Sequence, residues 1–126
     1  MSLADDECVI RLIELARTED LGGGDVTAGL MAERGEPAAF VLLAKQAGIF
    51  AGREAAPLVL RAYGKSLQIE WSAAGVDGGL LDDVPCPLAT IRGPLGVILS
   101  AERVLLNFLQ RLCGVATLTR QYVDAV

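Results

Sequence analysis

The stretch that most restricts what this chain can form is Ser100–Val126, SAERVLLNFLQRLCGVATLTRQYVDAV. Val104, Leu105, Phe108, Leu109 and Leu112 recur at helical spacing and predict a face that buries against a sheet. On the other side Arg103, Asn107, Gln110 and Gly114 follow at intervals of four, three and four, the arrangement of a solvent-facing stripe. Ser100 is the expected N-cap, and Glu102 suits a first turn, where the helix dipole favours a carboxylate. Arg103 in that same turn opposes the dipole, at a typical cost of about 0.3–1 kcal/mol when exposed. It is therefore either a surface arginine offset by Glu102 or a guanidinium held for an anion, bidentately if the anion is a carboxylate. The helical pattern meets no stop signal, so the expectation is a helix leading into further structure.

Composition narrows the classes. The 126 residues suit one domain; 52% of them are hydrophobic and the mean hydropathy is +0.44. No apolar run reaches the roughly 18 residues of a membrane span, so an extensive oligomeric interface or a covering partner domain is the expected outlet for that surface. Net charge is -5, with no basic cluster, which argues against a nucleic-acid footprint. The N-terminal residues lack the charged and apolar regions of a signal peptide, so the expected location is the cytoplasm. Cys8, Cys86 and Cys113 are odd in number and widely spaced, and the chain has no histidine. Buried reduced thiols are expected rather than a disulfide framework or a zinc site. The lack of histidine also removes the commonest general base, so the main acid–base chemistry is not expected here.

Taken in order, Asp5 to Thr18 predicts a helix with Asp5 and Asp6 in its first turn and Val9, Ile10, Leu12, Ile13 and Leu15 on its apolar face. Gly22-Gly23-Gly24 follows, and Asp25 can cap a short turn through Val26 and Thr27. Anion binding by this loop is the sharper alternative, but no complete phosphate motif supports it. Ala38–Ala44 reads as a strand buried on both faces, Lys45-Gln46-Ala47-Gly48 as a solvated turn, and Ile49–Gly52 as a second extended piece. A helix from Arg53 or Glu54 to Ala62 tolerates Pro57 only in its first turn. Ser66–Ala73 alternates as a half-buried strand with Trp71 in the core. Gly75–Pro87 is a turn-rich connection whose Asp82 and Asp83 are expected to be solvated rather than to hold a metal. Leu88–Arg92 and Gly96–Leu99 read as short strands around Gly93-Pro94. The class is α+β.

Four segments then occur in order: EDLGGGDVT at 19–27, GIFAG at 48–52, SAERVLLNFLQ at 100–110 and GVATLTR at 114–120. Together they resemble the N-terminal domain of quinolinate phosphoribosyltransferase, also called carboxylating nicotinate-nucleotide pyrophosphorylase. The resemblance covers nearly the whole chain and implies an α/β-hammerhead N-terminal domain followed by an open α/β barrel. It divides the chain into residues 1–112, the hammerhead with its linking helix, and 113–126, the start of a barrel whose remainder lies beyond this sequence. The implied reaction joins quinolinate to phosphoribosyl pyrophosphate, with magnesium, releasing pyrophosphate and carbon dioxide and giving nicotinate mononucleotide for NAD synthesis.

The resemblance also implies that the barrel carries the metal and most substrate groups, so that this fragment alone holds no metal, binds no cofactor and is inactive. In the family the N-terminal domain of one subunit covers the barrel mouth of another, which implies a homodimer or larger assembly. Arg103 then corresponds to the arginine that reaches a carboxylate of quinolinate across that boundary, with Glu102 and Asn107 as possible supports. The Gly22–Thr27 loop is expected to be structural or interface-forming. A molybdenum-transport-associated homologue, or a non-catalytic oligomerisation or small-ligand module, is the alternative.

Overall fold

The centre of the sheet is the strand with a partner on each edge. In the computed structural model, which describes residues 5–22 and 36–126, that strand is β5, Cys86–Pro94. On one side it pairs antiparallel with β1, Pro37–Ala44, in a register running from Pro37 opposite Pro94 to Ala44 opposite Cys86, with an irregularity at Leu42/Leu43. On the other it pairs antiparallel with β3, Gln68–Trp71, so the order is β1-β5-β3. A second sheet joins two short strands, β2 (Gly48–Ile49) and β4 (Leu80–Leu81). Three helices complete the described elements: α1 (Glu7–Gly22), α2 (Ala55–Tyr63) and α3 (Leu95–Ala125). Mixed helix and antiparallel sheet is the α+β arrangement expected, while β4 went unseen inside the turn-rich connection.

Strand β1 departs from its expected burial. Its residues alternate, with Ala38, Phe40 and Leu42 turned toward the core while Val41 and Leu43 remain 55% and 46% exposed. The reason is topological: an edge strand of an antiparallel sheet has helices on one face only, whereas burial on both faces belongs to strands sandwiched between helical layers. Strand β3 alternates as its sequence does, Ile69 and Trp71 inward and Gln68 and Glu70 outward.

The core lies between this sheet and the helices. Phe50 and Val59 are wholly buried, packed with Leu60, Leu88, Ile91, Ile98, Val104 and Leu105. Trp71 meets Phe50 edge-on, with ring centroids 5.7 Å apart, and so packs at the margin of the core. Helix α1 presents Ile13 to it, with Val9 and Ala16 beside it, while Leu12 and Leu15 face out. Asp6 does not belong to the first turn of α1. Its Oδ1 accepts from the amides of Cys8 at 2.8 Å and Val9 at 3.4 Å, so it is the cap. The Gly23–Thr27 part of the glycine-rich loop lies outside the described residues.

The largest revision concerns the start of α3. Gly96–Leu99 is helical, not a strand, and β5 passes directly into the helix through Pro94. Val97, Ile98 and Ala101 bury, and helical geometry is what sends these three to one side. Ser100 therefore caps nothing: its hydroxyl donates to the carbonyl of Gly96 at 2.9 Å, one turn back inside the helix. Arg103 and Glu102 stand two turns beyond the amino end, out of reach of the dipole penalty, which fades within the first turn.

Candidate functional site

Helix α3 holds its side chains by two means along its length. In its first half Ala101, Val104, Leu105 and Leu109 are buried against α2 and the sheets. In its second half polar groups take over. Thr117 Oγ1 accepts from the amide of Ile49 at 2.9 Å and donates to the carbonyl of Cys113 at 2.7 Å. Cys113 Sγ accepts from the amide of Ala51 and donates to its carbonyl, both at 3.4 Å. The Gly48–Gly52 loop is thus fastened to the helix at 109, 113 and 117, successive positions of one face. A Cβ on Gly48 would lie 2.7 Å from Thr117 Oγ1, and one on Gly52 would strike Leu109 Cδ2. Spacing along the sequence could not show this fastening, because its partners stand 62 and 68 residues apart.

The polar stripe is held outward by that packing. Arg103, Asn107, Gln110 and Gly114 are all exposed. Among the described residues, none of the three side chains has a hydrogen bond or ion pair, whereas Arg92 pairs with Glu70 at 2.8 Å on the outer face of the sheet. Arg103 is flanked by the buried Ala101, Val104 and Leu105, so its backbone is fixed while its guanidinium keeps all its donors. Such a group binds a carboxylate through two parallel hydrogen bonds.

Glu102 is exposed and turned to a different place. With Lys45 it edges a groove of about 270 Å³ between β1 and α3, walled by Phe40, Leu42, Ile98 and Leu105 among others. The structure brings Glu102 and Asn107 onto the same helix as Arg103 but gives neither a bond to it.

Other candidates resolve into structural roles. Arg53 lies over the Trp71 ring, 5.5 Å from its centroid, and donates to the carbonyl of Gly75 at 2.7 Å. Lys45 stands exposed in its turn, and Asp82 and Asp83 are exposed on theirs. Among the described residues no group of acidic, cysteine or histidine side chains converges as a metal site. The cysteines are free but not buried as expected: Cys8 is exposed and Cys86 and Cys113 are half-buried. Among the described residues no helix is long and apolar enough to cross a membrane.

The family described as "Quinolinate phosphoribosyl transferase, N-terminal domain" matches residues 25–113, a span that includes the stripe from Arg103 to Gln110 and most of the Gly22–Thr27 loop. The chain belongs to that family. A quinolinate phosphoribosyltransferase of Nicotiana tabacum is 36% identical over 115 residues, covering 90% of this chain and 32% of that protein. A chloroplastic carboxylating nicotinate-nucleotide pyrophosphorylase of Arabidopsis thaliana is 37% identical over 115 residues, with the same coverage of 90% and 32%. The solved nicotinate-nucleotide pyrophosphorylase of Francisella tularensis superposes with a TM-score of 0.80 at 30% identity, covering 92% of this chain and 40% of that one. The family's fold is therefore shared in three dimensions. This chain spans about a third of the length of the curated relatives it matches.

Proposed function

We propose that this chain is the N-terminal part of a quinolinate phosphoribosyltransferase and that Arg103 supplies a carboxylate-binding guanidinium to an active site completed by a second subunit. The reading is supported by one observation above the others: a family match that runs through Arg103, on a helix whose core packing leaves that guanidinium exposed and without a described partner. Quinolinate carries two carboxylates, and an arginine fork at a shared, water-excluded site suits one of them. In the reaction the pyridine nitrogen forms a bond to the anomeric carbon of phosphoribosyl pyrophosphate as pyrophosphate leaves, and the carboxylate next to that nitrogen departs as carbon dioxide.

Residues 1–112 form the hammerhead with its helix in this proposal, and 113–126 lead into the barrel. Magnesium is assigned to the barrel, because the carboxylates described here do not converge. The fragment alone is accordingly proposed to be inactive. Glu102 and Asn107 are assigned no more than support, by shaping the surface around Arg103.

The test uses a protein of the relatives' full length that carries this chain as its N-terminal third. Arg103→Ala is expected to weaken quinolinate binding by about 1.5–3 kcal/mol, roughly ten- to over a hundredfold, as for loss of a hydrogen-bonded charge. Binding of phosphoribosyl pyrophosphate, measured by calorimetry alongside, should stay within about twofold, below ~0.4 kcal/mol. Equal losses for both substrates, or no loss, would sink the assignment.

A further inference from the structure

Gly114 has no explanation inside the chain. Other described glycines do: a Cβ on Gly48 would meet Thr117, one on Gly75 would lie 2.5 Å from the Trp71 ring, and Gly78 has a φ of +82°. Gly114 sits in the interior of α3 with helical backbone angles, where glycine weakens a helix relative to alanine, and a Cβ there would meet nothing within 4 Å. A residue that costs helix stability and relieves no crowding in its own chain fits close approach by something else.

The position says what approaches. Gly114 follows Arg103 by eleven residues, which returns it to the same face about 16 Å along the axis. The exposed apolar residues of the second half, Val115 at 66%, Leu118 at 54% and Tyr122 at 69%, centre on a different side that prolongs the line of the buried face of the first half. A body that extended the core along α3 would cover those residues and leave the polar stripe open. The stripe carries an unpaired cation, and this chain is acidic, with 16 carboxylates against 11 basic groups. A second copy is therefore a partner of complementary charge.

We infer that the Arg103–Asn107–Gln110–Gly114 face of α3 docks on a second copy of the protein and that Gly114 is where the partner's backbone lies against the helix. This rests on the reading of Arg103 as acting across a subunit boundary, and it adds the contact that brings the boundary close.

The experiment compares Gly114→Ala and Gly114→Leu in a protein of the relatives' full length. Dimer dissociation is read by sedimentation equilibrium and the thermal midpoint over a series of protein concentrations. Both replacements are good helix formers, so at dilutions where the subunits separate the midpoint should be unchanged or higher. The dimer dissociation constant should rise at least tenfold for Gly114→Leu and less for Gly114→Ala. An unchanged dissociation constant overturns the inference. So does a lowered midpoint that is independent of concentration, because it places the crowding within one subunit. If Arg103→Ala leaves quinolinate binding intact while Gly114→Leu still weakens the dimer, the docking face stands and only the substrate contact falls.

Discussion

The side chain of Asp77 holds together two loops that nothing in the local sequence connects. Its Oδ1 accepts from the amides of Gly52 and Arg53, at 2.9 and 3.0 Å, just ahead of α2. Removing that acceptor releases two backbone donors at a helix entrance, so Asp77→Ala should cost about 1–2 kcal/mol in urea unfolding, in the range of a lost helix cap. Asp77→Asn keeps a carbonyl oxygen in place and should cost less than half as much. Arg103 shows the opposite relation between sequence and structure. Its face was legible from helical spacing, and the family resemblance singled it out, but the dipole argument that first made it conspicuous rested on a helix start five residues too late. What distinguishes it in the folded chain is a fixed backbone and a guanidinium without a described partner.

At the scale of elements, the second half of α3 depends on side chains that the sequence alone would class as ordinary helix surface. Thr117 lends its hydroxyl to the amide of Ile49, and the glycine at 48 is what lets the two approach. Thr117→Val keeps the shape and leaves that amide unsatisfied, which should destabilise the chain by about 1–3 kcal/mol. Thr117→Ser restores the acceptor and should recover most of the loss; equal losses in urea titrations of the two variants would remove the hydrogen bond from the account. The division of β5 from α3 was illegible for a related reason. Gly96-Val97-Ile98-Leu99 is short, apolar and β-branched, so its local preference does not separate strand from helix. Burial of Val97, Ile98 and Ala101 on one side settles the matter in favour of helix.

For the whole molecule, the uncovered apolar residues of α3 are the main liability. Val115 and Leu118 contribute little to the folded chain, being 66% and 54% exposed. Val115→Gln and Leu118→Gln together should therefore change the unfolding free energy of the 126-residue chain by no more than about 0.5 kcal/mol per site, while lowering its binding of a hydrophobic dye. In a protein of the relatives' full length the same pair should be clearly destabilising, at about 1–3 kcal/mol for each side chain that the added structure buries. Neutrality in both proteins would mean that this face stays open to solvent.

The sequence by itself determined the α+β class, the two faces of α3 and, through four ordered motifs, the family. These are carried by periodicity and by short contiguous words, which survive without knowledge of neighbours. Only the tertiary structure decided where α3 begins, that β1 buries a single face, that Asp77 and Thr117 hold distant loops, and that Gly114 has no crowding to relieve. Each of those depends on which surfaces compete for burial and which amides lack a partner, and both are settled between segments that the chain brings together from far apart.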